Sequence, residues 1–258
     1  MLGAGSLFVV LVLSLVLILL LRHQYSETLA AKVWPAEPFA AEVAGTAVPG
    51  SRTVLLMGDS RMADWGFPPI EGWRVLNAGL PGVTTAQLAS CCQTILSRVQ
   101  PQVVIIQIGI NDLKLLGVRP DLRDAVTENC VSNILTIVAE CRGAGARVII
   151  TPVWPPGRVT LVRRLIWSPA VDSAVVETNA RLVRLLASQN GVYVVDLFSE
   201  LTRGSSKESR ERLYRDTLHL KPETYARLSA LLAEIIRSKL DDAGKILSPE
   251  AANLPTHN

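Results

Sequence analysis

Histidine and cysteine are scarce in this chain, and their scarcity limits its chemistry. The 258 residues include three His and four Cys. The cysteines (Cys91, Cys92, Cys130 and Cys141) form no C-x-x-C pair, and three histidines are too few to complete a zinc-binding pattern. The sequence therefore argues against a metalloenzyme, and we expect no metal site.

An excess of charge of one sign is also absent. Lys and Arg number 26 against 23 Asp and Glu, so the net charge is +3, and charged residues make up 19% of the chain. Proteins that bind nucleic acids usually rely on a much larger basic excess. We therefore predict no nucleic-acid partner.

Apolar residues are abundant, but they are concentrated at the N-terminus. The mean hydropathy of the chain is +0.30, and residues 2–21 contain no charge. A helix of about 20 residues spans roughly 30 Å, the thickness of the hydrocarbon core of a bilayer. A cleaved secretory signal would have a shorter apolar stretch, a basic start and a nearby small-residue cleavage site, whereas Ala30 and Ala31 lie well downstream. We therefore predict a transmembrane anchor, or an uncleaved signal, over residues 1–22.

The remaining sequence divides into three parts. Residues 23–51 contain three Pro among many Ala and Gly without a sustained period, which is typical of a tether. Residues 52–240 carry the regular patterns of a folded domain, whereas residues 241–258 have none, so we expect a flexible tail there. The predicted organisation is an anchor, a tether, one domain and a tail.

Short β-rich apolar runs alternate with helical patterns throughout the predicted domain. The strand-like runs cover residues 53–57, 74–76, 103–108, 148–151 and 192–195. The helical patterns cover residues 84–99, 122–142, 172–189 and 222–240. Because the runs are apolar on both faces, we expect a parallel sheet that is covered on each side. The sequence thus predicts a single α/β domain, a three-layer α/β/α sandwich.

Small and polar residues follow three of the predicted strands. Ser60 lies just after the first strand, Gly79 after the second and Asn111 after the third. In an open parallel sheet, ligands bind at the carboxyl ends of the strands, so these residues are expected to surround one crevice. A hydroxyl, a backbone amide and a carboxamide in one crevice suit acyl transfer, with Ser60 as the nucleophile and Asn111 as a donor to the oxyanion.

A serine nucleophile needs a base, and His219 is the only histidine in the predicted domain. His23 adjoins the apolar segment, and His257 lies in the tail. Asp216 precedes His219 by three residues, close enough in a tight turn to hold Nδ1–H of the imidazole while Nε2 faces Ser60. An Asp-x-x-His sequence alone is also typical of a capped helix start. Its occurrence together with the polar strand ends favours a catalytic site.

These segments resemble the sequence blocks of the SGNH hydrolases, which are also called GDSL-type esterases and lipases. The resemblance covers about residues 52–240 and is carried by Gly58-Asp59-Ser60, Gly79, Gly109-x-Asn111-Asp112 and Asp216-x-x-His219. It implies a flavodoxin-like three-layer sandwich and a triad of Ser60, His219 and Asp216 that needs no cofactor. It also implies an oxyanion hole formed by the amides of Ser60 and Gly79 and by the side chain of Asn111.

Two further features are candidates for substrate binding. Arg61 stands where many members of the family have Leu or another apolar residue, and we expect it either to meet an anionic substrate group or to lie exposed on a first helical turn. The irregular segment after the fourth strand contains Trp154, Arg163, Arg164 and Trp167. Apolar residues mixed with Arg suit an amphipathic ligand. This segment is therefore either a pocket wall or lid that selects the acyl or headgroup part of a substrate, or a structured loop packed on the domain.

Three functions are compatible with the sequence. The first is a membrane-anchored serine ester hydrolase that acts on a small-molecule, glycan or lipid ester. The second is an O-acyltransferase that uses the same acyl-serine, and the third is a non-catalytic, membrane-tethered carbohydrate-binding or scaffold domain. An intact set of nucleophile, base and oxyanion donors favours an enzyme. The resemblance implies a domain outside the cytoplasm, whereas Arg22 and Lys32 after the apolar segment favour the cytoplasmic side.

Overall fold

A five-stranded parallel sheet forms the centre of the computed structural model, which describes residues 4–41 and 45–239. The strands are β1 (Thr53–Gly58), β2 (Arg74–Gly79), β3 (Val103–Gln107), β4 (Arg147–Ile150) and β5 (Val192–Val194). Their order in the sheet is β2-β1-β3-β4-β5, and every neighbouring pair is parallel. The predicted parallel sheet is confirmed, and each predicted run overlaps one of its strands. The predicted tail over residues 241–258 lies outside the described residues.

Helices precede the sheet and connect its strands. The α-helices of the described residues are α1 (Ala4–Val33), α2 (Ser60–Ala63), α3 (Thr85–Val99), α4 (Ile110–Leu113), α5 (Arg123–Gly143), α6 (Pro169–Leu186), α7 (Leu197–Thr202), α8 (Lys207–Glu211) and α9 (Pro222–Lys239). Short 3-10 helices cover Lys114–Gly117, Pro120–Leu122 and Val162–Ile166. The four predicted helices correspond to α3, α5, α6 and α9. Helix α6 begins earlier than predicted because Ser168 caps it by accepting from Ala170 N, with Pro169 in the first turn.

The side chains of β1 show how the helices cover both faces of the sheet. Leu55 and Met57 belong to a core formed with α3, α5 and α6, whereas Val54 and Leu56 belong to a second core formed with α7 and α9. All four side chains are fully buried. Because successive residues of a strand point to opposite faces, helices must pack on each side of the sheet. The predicted three-layer α/β/α sandwich is confirmed.

Helix α1 has two parts in different environments. Its most apolar stretch has a mean hydropathy of 2.5 and no buried residue. Among the described residues, this is the one helix long and apolar enough to cross a membrane, as an anchor or a signal sequence would be. The part that follows packs against the domain, where Leu29 is 4% exposed and Val33 is completely buried.

The helical continuation of α1 differs from the irregular tether predicted over residues 23–51. This stretch is helical up to Val33 because its buried residues pack against the domain core. Thr84 Oγ1 donates a hydrogen bond to Lys32 O at 2.6 Å, and Asn129 Nδ2 donates to Val33 O at 3.1 Å. These bonds satisfy carbonyl groups that the end of a helix otherwise leaves without partners. Helix α1 therefore leads directly into the core of the domain.

Candidate active site

Ser60 lies at the carboxyl edge of the sheet, in the first position of α2. Strand β1 ends at Gly58, and Asp59 caps the helix because its Oδ1 accepts a hydrogen bond from Arg61 N at 2.9 Å. Gly58 pairs with Gly79 of β2 on one side and with the end of β3 on the other. The ends of the first three strands therefore meet at one edge, as the sequence predicted.

Three polar side chains form a continuous hydrogen-bonded chain at this edge. Ser60 Oγ lies 2.8 Å from His219 Nε2. On the other side of the ring, Nδ1 lies 2.8 Å from Oδ2 and 3.1 Å from Oδ1 of Asp216. Since a carboxylate only accepts, this arrangement favours a proton on Nδ1 and leaves Nε2 to accept from the Ser60 hydroxyl. The residues predicted as nucleophile, base and orienting acid are thus in contact, and their catalytic roles stay predictions.

The turn that contains Asp216 holds its side chain in the ionised form. Asp216 Oδ1 accepts hydrogen bonds from the amides of Leu218 at 2.7 Å and His219 at 2.9 Å. Burial alone would raise the pKa of Asp216, but these two amides and the His219 ring lower it to about 2. The carboxylate is therefore charged at neutral pH and is placed to stabilise a protonated imidazole.

Gly79 lies where β2 passes closest to α2. A Cβ added at Gly79 would lie 2.2 Å from the Ala63 nitrogen and 2.5 Å from its Cα, so a larger residue requires the backbone to move. The Gly79 amide donates to Asn77 Oδ1 at 2.8 Å, and Asn77 Nδ2 donates to Met62 O at 2.8 Å. Asn77, for which the sequence predicted no role, thus connects the amide predicted for the oxyanion hole to the helix that begins with Ser60.

Asn111 is 4% exposed, and both ends of its carboxamide are hydrogen-bonded. Nδ2 donates to Val83 O at 2.9 Å, and Oδ1 accepts from Lys114 Nζ at 2.7 Å. Burial, together with the nearby charge of Lys32, lowers the pKa of Lys114 to about 8. A cation on Oδ1 polarises the carboxamide and strengthens its N–H groups as donors. Lys114 was not among the residues predicted for the site, although its spacing of three residues from Asn111 was the available signal.

The turn that carries Asn111 is fixed by its neighbours. Gly109 has a φ of 126°, a conformation that other residues rarely adopt. Asp112 is fully buried and accepts hydrogen bonds from Thr85 N at 3.0 Å and Thr85 Oγ1 at 2.6 Å. Burial raises the pKa of Asp112 to about 7. These contacts connect α4 to the first turn of α3 and hold Asn111 at the edge of the sheet.

Arg61 occupies neither of the two environments predicted for it. The side chain is fully buried, so it does not lie exposed on a helical turn, and its guanidinium faces backbone carbonyls. Nε donates to Leu218 O at 2.8 Å, and Nη1 donates to Trp154 O at 2.6 Å. A guanidinium can be buried when carbonyl groups satisfy its N–H donors in this way. Arg61 thus connects the turn of Ser60 to the residue that precedes His219.

We expect Arg61→Met to destabilise the protein by about 2–4 kcal/mol. The change leaves the buried carbonyls of Leu218 and Trp154 without donors and loosens the turn before His219, so turnover should also fall. Thermal unfolding and kcat of the full chain in detergent measure the two effects. Arg61→Lys keeps the charge without the planar fork and should be intermediate. A methionine variant as stable and active as the wild type would contradict this role.

The other residues predicted to bind substrate lie in different environments. Trp154 is 1% exposed and packs on Trp65 with ring centroids 5.6 Å apart, so it belongs to the core and does not form a pocket wall. The Arg163 guanidinium carbon lies 5.9 Å from the ring centroid of Trp167. Arg164 is exposed. The predicted substrate segment therefore combines a buried start with an exposed, basic continuation.

A crevice of about 370 Å³ lies beside the turn of Asp216. The segment after β4 contributes Arg158, Leu161 and Arg164 to one side, and Tyr214 and Asp216 lie on the other. This volume suits a small ligand or part of a larger one. Of the residues predicted to bind substrate, Arg164 is the one that lines this crevice.

The sheet, its flanking helices and the polar residues at its carboxyl edge define a class of protein. The sequence model of a protein family, the GDSL-like Lipase/Acylhydrolase family, matches residues 56–227, which is more than half of the chain. The chain belongs to this family. Membership supports an enzyme that hydrolyses esters.

Individual relatives are distant in sequence. The chain is 24% identical to Esterase TesA of Pseudomonas aeruginosa over 165 residues, which cover 58% of this chain and 72% of that protein. A GDSL-like lipase from Bacteroides thetaiotaomicron matches with a TM-score of 0.58 at 19% identity, covering 83% of this chain and 96% of that one. A catalytic mutant of an acetylxylan esterase from Geobacillus stearothermophilus matches with a TM-score of 0.54 at 19% identity, covering 73% and 95%. These likenesses confirm the predicted SGNH hydrolase fold.

Proposed function

We propose that this protein is a membrane-anchored serine ester hydrolase. The observation that carries the proposal is the hydrogen-bonded chain from Ser60 Oγ through the His219 ring to Asp216. Ser60 Oγ lies 2.8 Å from Nε2 of the ring, and Asp216 Oδ2 lies 2.8 Å from Nδ1. Membership of a family of lipases and acylhydrolases supports it. The proposed substrate is an acyl ester of a small molecule, a glycan or a lipid.

The first half of the proposed reaction forms an acyl-serine. His219 Nε2 accepts the Ser60 proton while Oγ attacks the ester carbonyl, and Asp216 stabilises the imidazolium. His219 then donates this proton to the oxygen of the leaving alcohol. In the second half, His219 takes a proton from water, which attacks the acyl-serine. His219 then returns this proton to Ser60 Oγ as the bond between Oγ and the acyl group breaks and the free acid is released. These steps need no cofactor.

The oxyanion of each tetrahedral intermediate needs hydrogen-bond donors, and we assign this role to the amides of Ser60 and Gly79 and to Asn111 Nδ2. One Nδ2 hydrogen is bonded to Val83 O, which leaves the other for the substrate. The Gly79 amide already donates to Asn77 Oδ1, so it would share its hydrogen with the oxyanion. One well-placed donor is worth on the order of 10²- to 10³-fold in rate.

The anchor in this proposal is the exposed apolar part of α1. The same helix enters the core of the domain at Leu29 and Val33. From Arg22, the first charged residue, to Val33, a helix rises roughly 17 Å. Such a short and continuous helix would hold the active site close to the bilayer in a fixed orientation.

The proposal is tested by treating the full chain in detergent with a fluorophosphonate, which reacts with activated serines. We expect labelling of the folded protein on Ser60 and hydrolysis of acyl esters with release of free acid. A heat-denatured sample is the control and should not be labelled. If an added sugar or other alcohol captures most of the acyl group, the hydrolase is contradicted in favour of the O-acyltransferase. Absence of labelling would favour the non-catalytic scaffold.

A further inference from the structure

Three exposed apolar side chains outside α1 lie close together in one short segment. Leu161, Val162 and Leu165 are 76%, 79% and 51% exposed. They lie in or next to the 3-10 helix Val162–Ile166, and we call residues 161–166 the 161–166 segment. Large apolar side chains that are exposed so close together commonly mark a contact with a protein or a membrane.

The 161–166 segment lies beside the point where the apolar part of α1 ends. The side chain of Arg22, the first charged residue of the chain, donates a hydrogen bond to Leu165 O. The segment is thus within one side chain's reach of the boundary between the apolar and polar parts of α1. In an anchored protein this boundary lies at the headgroups of the bilayer. The exposed apolar side chains of the 161–166 segment then also lie near the headgroups.

The charge of residues 155–168, which contain the segment, favours an anionic bilayer as its partner. Residues 155–168 contain Arg158, Arg163 and Arg164 but no Asp or Glu. Apolar side chains interleaved with Arg are typical of segments that lie in the membrane interface, and an anionic surface attracts basic residues close to it. Charge complementarity and position beside α1 therefore point to the same partner.

Two hydrogen bonds connect residues 157 and 158, which precede the 161–166 segment, to the turn of Asp216. Gly157 N donates to Thr217 O at 2.8 Å, and Thr217 Oγ1 donates to Arg158 O at 2.9 Å. Leu161 and Asp216 line the same crevice. A bilayer in contact with the 161–166 segment would therefore lie at one end of the crevice beside Asp216.

We infer that the 161–166 segment is a membrane-docking surface, which inserts Leu161, Val162 and Leu165 among the headgroups of an anionic bilayer. Docking directs the crevice towards the bilayer, so that amphipathic esters carried by the membrane reach Ser60 without crossing water. The inference rests on the proposed function for the anchor and for Ser60. It extends that function by naming bilayer-borne esters as the substrate class.

A fluorescent label tests the docking directly and needs no turnover. The four native cysteines are free and buried, so a cysteine introduced at the surface can be labelled selectively. Val162→Cys carries an NBD fluorophore in the full chain, reconstituted in vesicles of phosphatidylcholine and phosphatidylglycerol. Val176→Cys is the matched control, because Val176 is 69% exposed on α6. We expect a blue shift and loss of iodide quenching at position 162 but not at 176, with a larger effect when phosphatidylglycerol is present.

The outcomes separate the docking surface from the proposed function. Equal iodide quenching at positions 162 and 176, in protein that floats with the vesicles, would overturn the docking surface alone. Failure of the full chain to float with vesicles would overturn the anchor and the docking surface together. Absence of fluorophosphonate labelling would contradict the proposed catalysis, whereas the fluorescence of the two labelled variants would still decide the docking.

A matched pair of activity measurements tests the consequence for substrate. Val162→Asp combined with Leu165→Asp should lower turnover of a long-chain ester embedded in vesicles by about tenfold. Turnover of a water-soluble short-chain ester should not change, because neither Val162 nor Leu165 lines the crevice beside Asp216. Val176→Asp should change neither rate. An equal loss on both esters, or no loss on the embedded ester, would overturn the inference.

Discussion

Ser60→Ala should reduce ester hydrolysis by about 10⁴- to 10⁶-fold and leave the fold intact. The loss is large because the proposed reaction passes through an ester of Ser60 Oγ. Among the described residues, no other side chain is hydrogen-bonded to His219 Nε2 and could replace it. Water held in the same place is a poorer nucleophile and forms no acyl-enzyme. The change removes one oxygen atom at the first turn of α2, so it should not alter the packing of the sheet.

The measurement is kcat/KM for a chromogenic acyl ester, together with the midpoint of thermal unfolding. Ser97→Ala is the matched control, since Ser97 is exposed near the end of α3 and its hydroxyl donates to Thr94 O. The control should keep full activity and full fluorophosphonate labelling, whereas Ser60→Ala should lose both. Hydrolysis at more than a tenth of the wild-type rate in the Ser60 variant would show that this serine is not the nucleophile.

The strands and long helices could be predicted because their patterns are local. Val126 and Ile134, eight residues apart in the predicted helix 122–142, lie on one face of α5 and are both buried. The continuation of α1 to Val33 could not be predicted in this way. It is stabilised by contacts with Thr84 and Asn129, which only the folded domain brings to the end of that helix.

The same difference between local and distant contacts divides the residues of the candidate site. Ser60 could be located because polar residues at strand ends of a parallel sheet converge whatever the details of packing. The burial of Arg61 depends on the carbonyl of Leu218, which is 157 residues away in the chain. No pattern around Arg61 indicates such a partner. The local sequence therefore does not distinguish a buried arginine from an exposed one.

Asp216→Asn should lower kcat by about 10⁴-fold with little effect on the fold. Asp216 accepts the ring hydrogen of His219 at 2.8 Å and so favours the tautomer whose Nε2 can accept from Ser60. An asparagine can turn its NH₂ group towards Nδ1, which favours the opposite tautomer and places a hydrogen on Nε2. It also removes the negative charge that stabilises the imidazolium. Comparison of kcat and the unfolding midpoint with those of the wild type measures both effects.

The pH dependence of stability gives Asp216 a second signature. Its pKa is lowered from 3.8 to about 2, so the carboxylate contributes stability that is fully present above 3.8 and is lost as the pH falls through 2. The contribution is modest, because the Asp216 side chain is 46% exposed. The gap in unfolding midpoint between wild type and Asp216→Asn should therefore narrow as the pH is lowered from about 6 to about 2.

Asp121→Asn is the control for both effects, because Asp121 pairs with Arg119 at 2.7 Å on the exposed surface. We expect unchanged turnover and little change in stability, since exposed ion pairs contribute little. A constant gap between wild type and Asp216→Asn at every pH would mean that the variant loses packing and not a charge. Turnover of that variant within tenfold of the wild type would exclude Asp216 as the residue that orients His219, even if Ser60 is the nucleophile.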